Sequence, residues 1–384
     1  GGFPVELPAI SLSESKVKPT TMLYRNFLAM ETEELIRSQP VDGVVLMGGC
    51  DKTTPGLILG ATSAGVPAIF MPAGPMLRGN FQGRQLGSGS DAWKYWDERR
   101  AGNISEKEWY DMQTGIARSY GVCMTMGTAA TMTGITDAIG MTLPGASSIL
   151  AADSGHIRMA TQCGRRAVEM VWEDLTPTKI MTRAAFLNGI VVAMAMGCST
   201  NAVIHLVAMA RRAGHDIGLA DFDAASRKVP VIANIRPSGD KYLMEDFFYA
   251  GGLLGLLTRL KPWLDLSQIN ASGETWEKSL EGARVYDDDV IRTVDTAIYK
   301  EGALAVLTGN ISPGGCVIKP SAAGEKFQKH SGPALVYDSY EQMKKDIDRD
   351  DLDVTADTVL ILRNAGPLGG PGMPEWGMLP IPKK

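Results

Sequence analysis

The stretch Gly48-Gly49-Cys50-Asp51-Lys52-Thr53-Thr54-Pro55-Gly56 follows the apolar run Gly43 to Met47, and its reading decides the fold. A short apolar run that ends in a glycine turn is what a buried strand produces, and open parallel α/β sheets bind ligands in the crevice beyond the carboxyl ends of their strands. A thiol, a carboxylate and an amine stand side by side at that point. A soft and a hard ligand placed together there suggest metal chemistry. A plainer alternative stays open, because free cysteine is among the most buried side chains and Cys50 could be a small core residue. Against it, Asp51 and Lys52 are costly to bury unless paired or metal-bound.

Working outward, Val44 to Met47 reads as a strand, Leu57 to Ala64 as a helix, and Val66 to Met71 as a second strand ending at Pro72-Ala73-Gly74-Pro75. This alternation runs from residue 40 to about 220 and predicts a three-layer α/β domain built from βαβ units. Residues 83 to 108, with Gly87-Ser88-Gly89-Ser90, Trp93, Tyr95, Trp96 and Asp97-Glu98-Arg99-Arg100, form a polar, aromatic insertion, either a specificity loop or a solvated connection. Thr182 to Met196 and Thr200 to Ala213 read as consecutive helices. Ser199 or Thr200 can cap the second, Arg211 and Arg212 lie in its last turn, and Gly214 stops it. His205 lies inside that helix as either a hydrogen-bonded structural histidine or a site residue; it has no ligand partner at helical spacing.

The pattern changes around residues 275 to 295. Downstream, Ala303 to Leu307, Cys316 to Lys319, Ala334 to Val336 and Thr358 to Leu362 read as short strands, separated by turns such as Asn310-Ile311-Ser312-Pro313-Gly314-Gly315. The division expected is an α/β domain over 1–290 and a β-rich C-terminal domain over 296–384, an incomplete barrel, because four strands are too few to close one. In Gly366-Pro367-Leu368-Gly369-Gly370-Pro371-Gly372-Met373-Pro374-Glu375, glycines allow close backbone approach to a ligand and Glu375 is the only carboxylate.

Composition narrows the function classes. In 384 residues, 45% are hydrophobic, 21% are charged and the net charge is −5, so there is no basic footprint for nucleic acid. No apolar run approaches the ~18 residues of a membrane span, and no secretory signal is visible at Gly1-Gly2-Phe3-Pro4, so the expectation is a soluble, cytoplasmic protein represented by a fragment. Five scattered cysteines do not make a disulfide scaffold in a chain of this size.

The second cysteine of interest is Cys123, in Tyr120-Gly121-Val122-Cys123-Met124-Thr125-Met126-Gly127-Thr128. Small residues crowd it, and the following run could open a helix whose N-terminus favours a thiolate. Cys50 and Cys123 are too far apart in sequence for a CxxC knuckle. Thiolates from two turns could share one iron-sulfur cluster, with the remaining ligands from elsewhere. Walker and GxSxG motifs are absent. A Cys50 nucleophile with His205 as base is formally possible, although nothing in the sequence brings the two together.

The stretches Gly49 to Gly56, Ser199-Thr200-Asn201-Ala202-Val203-Ile204-His205, Arg236-Pro237-Ser238-Gly239 with Met244-Glu245-Asp246, and Gly369 to Glu375 together resemble the dihydroxy-acid and sugar-acid dehydratase family. The likeness runs from about Ile10 to the last residue. Trp93 to Gly102 and the Thr53-Thr54 pair are most similar to the aldonate branch, which includes arabinonate dehydratase. The resemblance implies a hydro-lyase with a 2Fe-2S cluster and Mg²⁺, acting on a sugar acid such as arabinonate to give its 2-keto-3-deoxy acid. It also implies a homodimer or homotetramer. The alternatives are the dihydroxy-acid dehydratase of branched-chain amino-acid synthesis and a catalytically silent homologue.

By the same resemblance, Cys50 and Cys123 match two of three cluster cysteines, and Glu14, Asp51 and Glu375 match magnesium ligands. Lys52 matches a lysine that is carbamylated in family members and becomes a further oxygen ligand. The third cluster cysteine and the catalytic serine of the family are expected to lie before Gly1 and beyond Lys384. Cys163, Cys198 and Cys316 match no ligand position and are expected to be small buried hydrophobes.

Overall fold

A computed structural model describes residues 1–12, 17, 21–365 and 379–383. The first helix, α1 (Met22–Ser38), leads into the parallel pair β1 (Val44–Gly48) and β2 (Ala68–Pro72), joined through α2 (Thr53–Ala64), with Val44 opposite Ala68 and Gly48 opposite Pro72. This is the βαβ unit expected from the sequence. Gly56 and Gly60 lie one turn apart on α2. A Cβ on either would meet Leu28 or Thr32 of α1 at 2.9 and 2.5 Å, so their lack of side chains lets the two helices touch.

The sheet stops early. The next element is a hairpin, β3 (Gly79–Phe81) and β4 (Arg84–Leu86), turned by Gln82 and Gly83, both at positive φ as a two-residue primed turn requires. Helices then take over: α3 (Ser88–Arg100), α4 (Glu106–Ile116), α5 (Thr128–Ile139), α6 (Ser154–Trp172), α7 (Pro177–Ile180), α8 (Arg183–Met196), α9 (Asn201–Arg212), α10 (Leu219–Ser226), α11 (Met244–Tyr249), α12 (Gly252–Leu260) and α13 (Trp276–Ser279). Among the described residues the parallel sheet therefore has two strands. The free edge of β2 is met by the loop after α5, where the Phe70 N–H donates to the Met141 carbonyl at 2.7 Å. β1 leaves Met47 69% exposed, so it is not the wholly buried strand its composition suggested.

Apolar side chains set the centre of the body. From Ala185 onward α8 buries every residue but Leu187, and α5 buries all of Ala129 to Ile139, as helices apolar on all sides must. Thr182 caps α8 by accepting the Ala185 N–H at 3.1 Å, and Gly197, at φ +77, ends it. Asp137, wholly buried at the end of α5, accepts from Ser147 N (3.0 Å), Ser147 Oγ (2.7 Å) and Gly145 N (3.2 Å). Burial pushes its carboxyl up to about 6 against the pull of these donors. Asp137→Ala leaves three donors unmatched and should cost about 3 kcal/mol of stability in denaturant unfolding; a change below ~1 kcal/mol would mean that water replaces the carboxylate there.

The C-terminal segment departs from the barrel expected. β5 (Ala305–Leu307) and β6 (Cys316–Ile318) pair antiparallel, whereas β7 (Ala334–Tyr337) and β8 (Val359–Leu362) pair parallel across α14 (Tyr340–Asp346). A parallel pair needs a crossover, which α14 supplies, and among the described residues the two ribbons do not join into one sheet. The large core continues through Ala303 and Leu304, with Val306 and Val317 against it. A separate small cluster, Tyr337, Met343 and Ile347, lies under β7 and β8. No described helix is long and apolar enough to cross a membrane.

Candidate active site

Three turns converge where β1 ends. The first, Gly49 to Lys52, leads into α2, with Cys50 and Lys52 carbonyls accepting the Thr54 and Gly56 N–H at 3.0 Å. The second carries Cys123 towards α5. Val122 exchanges backbone hydrogen bonds with Gly74 and Met76 at 2.9 Å, and a Cβ on Gly49 would lie 2.7 Å from Val122 Cγ1. Glycine at 49 is what lets these turns touch. Cys50 and Cys123, distant in sequence, are thus carried by neighbouring turns, and both are exposed.

The third turn, between α8 and α9, closes the group. Thr128 Oγ1 donates to Ser199 Oγ at 2.8 Å, Ser199 N donates to Thr131 Oγ1 at 3.1 Å, and Asn201 Nδ2 reaches Asp51 Oδ2 at 3.4 Å. Asp51 is buried at 3% exposure and takes the Lys52 ammonium on the same oxygen at 2.9 Å. The pairing that burial demands is therefore present. Glu14 and Glu375, the other two carboxylates expected, lie outside the described residues.

His205 lies one helical turn beyond Asn201, wholly buried, with its Nδ1 3.2 Å from Arg25 Nη1. Burial above all, then the charges of Arg25 and Lys52, hold its pKa well below the ordinary histidine value. A buried imidazole already engaged by Arg25 is poorly suited to serve as base for the exposed Cys50. Burial also pushes the Cys163 and Cys198 thiols up to about 11 and about 12, which makes both inert core residues, as expected. Cys316 corrects that expectation: it is exposed on β6, the edge of a two-stranded ribbon.

The insertion folds as α3 against α4. Arg99 is held between the Trp96 and Trp109 rings at 5.4 and 5.3 Å and donates to both Glu106 carboxylate oxygens at 3.0 Å, so it fastens the two helices together. The end of α3 nearer the three turns is Gly87 to Asp91. A Cβ on Gly87 would meet Thr125 Cγ2 at 2.6 Å, and Asp91 Oδ2 accepts from Arg236 Nη1 at 2.9 Å. The Arg236 carbonyl in turn accepts the Met126 N–H at 2.9 Å, beside Cys123. Sequence reading quoted Arg236, Asn201 and Thr128 only as parts of motifs and passed over Arg25; only the fold supplies their partners.

Residues 1–279 match the family described as dihydroxy-acid/6-phosphogluconate dehydratase N-terminal, and residues 289–384 match its C-terminal counterpart. Over all of its length the chain is 55% identical to 6-deoxy-6-sulfo-D-gluconate dehydratase of Pseudomonas putida and 45% identical to L-arabinonate dehydratase of Rhizobium leguminosarum bv. trifolii, covering 67% and 66% of those proteins. Over 91% of its length it is 39% identical to dihydroxy-acid dehydratase of Thermodesulfovibrio yellowstonii, covering 63% of that protein. The chain thus spans about two thirds of the length of the curated relatives it matches. By both halves of its sequence it belongs to the dihydroxy-acid/6-phosphogluconate dehydratase family, whose named members are hydro-lyases.

Proposed function

We propose that this chain carries the cofactor-binding part of a sugar-acid dehydratase, which converts an aldonate to its 2-keto-3-deoxy acid. The observation that supports this most is the meeting of the Cys50 and Cys123 turns beside the buried Asp51, in a chain 55% and 45% identical to relatives named for sugar acids. Thiolates suit iron and carboxylate oxygens suit magnesium, so the donors fit a 2Fe-2S cluster at Cys50 and Cys123 and Mg²⁺ at Asp51. Glu14, Glu375 and a carbamylated Lys52 would complete the oxygen set. When bound, these groups supply Lewis acidity for loss of the C3 hydroxyl and for acidifying the C2 proton.

The protein's own contribution is orientation. Asn201 holds Asp51 through Oδ2, the oxygen that the unmodified Lys52 ammonium also takes, which leaves its other oxygen for a cation. Cys50 sits in the turn just before α2, exposed and next to the Cys123 turn. The Thr128–Ser199 hydroxyl pair and the Asp91–Arg236 ion pair, near the Cys123 turn, are polar groups suited to substrate hydroxyls.

The full-length protein, purified anaerobically, should contain iron and sulfide, absorb in the visible, and form a 2-keto-3-deoxy acid from an aldonate. Cluster without turnover of any aldonate would remove the reading; cluster with turnover only of branched-chain dihydroxy acids would favour the amino-acid pathway; neither cluster nor turnover would favour a silent homologue.

A further inference from the structure

We propose that Lys319 is a positioning residue that holds the α8–α9 turn so that Asn201 orients Asp51 for Mg²⁺; the inference rests on the reading of Asp51 given under the proposed function. Lys319 directly follows β6, in the stretch that matches the C-terminal family. The ribbon it ends is fastened to the helical body, where Ala303 N donates to the Met194 carbonyl of α8 at 3.2 Å and Ser226 Oγ donates to the Leu304 carbonyl. The Lys319 ammonium thereby reaches the end of α8 and donates to the Gly197 and Cys198 carbonyls at 2.8 and 3.0 Å. Free carbonyls at a helix C-terminus favour a cation. Among the described residues no carboxylate pairs with it.

These two bonds bear on the site through the backbone. The Cys198 carbonyl and the Ser199 N–H belong to one planar peptide and point opposite ways. Lys319 holds the carbonyl end, and at the other end the Ser199 N–H donates to Thr131 Oγ1 at 3.1 Å. The preceding peptide is fixed by the Gly197 carbonyl, which Lys319 shares with Ser238 Oγ at 3.0 Å. With its backbone set, Ser199 Oγ accepts from Thr128 Oγ1 at 2.8 Å and from the Asn201 N–H at 3.3 Å, and Asn201 Nδ2 reaches Asp51 Oδ2 at 3.4 Å. An apolar side chain of the same length would fill the space without desolvating a charge, so packing alone does not account for the ammonium. The two cysteine turns do not depend on this brace, because they meet directly where Gly49 lies against Val122.

The test is made on the full-length, iron-loaded protein. In Lys319→Met, Mg²⁺ affinity measured by titration calorimetry should fall at least ~10-fold, the scale on which partners of metal ligands act, while iron stays at the wild-type level. Lys319→Arg, whose guanidinium can donate to both carbonyls, should restore most of the affinity. Asn201→Ala should weaken Mg²⁺ to a similar degree, and Lys319→Met added to it should change little further, because the lysine acts through the asparagine. If the methionine variant does not fold, Lys319→Gln, which keeps a donor but is too short to span both carbonyls, replaces it with a loss of several-fold. Wild-type Mg²⁺ affinity in a folded Lys319→Met or Lys319→Gln protein overturns the inference alone, as do independent losses in the double variant or loss of iron together with Mg²⁺. Absence of Mg²⁺ binding in the wild type overturns the reading of Asp51 and this inference with it.

Discussion

In the full-length protein, Cys50→Ser is expected to give a folded protein with iron near zero and no measurable dehydration. Serine keeps the size of the side chain but replaces a soft thiolate with a hydroxyl that stays protonated at neutral pH, so the iron loses a ligand. Stability should barely move, within about 0.5 kcal/mol, because Cys50 is exposed and no cavity opens. Cys316→Ser is the matched control: it too is exposed, but on β6, and both iron and turnover should persist. Iron at wild-type level in Cys50→Ser would end the assignment of the β1–α2 turn to the cluster.

The second large effect concerns substrate choice. A sugar acid carries several hydroxyls that need partners, whereas a branched-chain dihydroxy acid presents methyl groups at the same places; a site of paired polar groups rejects the apolar analogue because those groups are left unmatched. Ser90, Asp91, Arg236, Thr128 and Ser199 gather near the two cysteine turns. Aldonates of five or six carbons should therefore exceed 2,3-dihydroxyisovalerate in kcat/KM by at least ~100-fold. Equal values for the two classes would place this chain with the amino-acid enzymes.

Local sequence was a good guide wherever a structure depends on near neighbours. The glycine turn after Met47 and the α8–α9 pair with its arginines and Gly214 stand where periodicity and caps placed them, and α2 ends at Ala64 as expected but begins at Thr53 rather than Leu57. What failed depends on distant contacts. The width of the sheet was misjudged because Met141, far along the chain, occupies the edge of β2. The incomplete barrel is not seen among the described residues, where the four expected strands form two separate ribbons and β7 takes β8 in parallel across α14. Cys50 and Asp51 stood out through residue chemistry alone. Arg25 became visible only once α1 and α9 were folded together, and Arg99, in the insertion read as either a specificity loop or a solvated connection, proved to be clamped by two tryptophans.

The small cluster of Tyr337, Met343 and Ile347 has a dynamic consequence. Cooperative opening of a segment costs what its own buried contacts are worth, and segments with few of them open first. Three buried side chains under β7 and β8 give that ribbon little independent resistance, while α5 and α8 open only when the entire helical body does. Amide protons of 334–362 should therefore exchange with solvent through local excursions, long before those of α8, so this ribbon can shift or reorder at little energetic cost while the cysteine turns stay fixed.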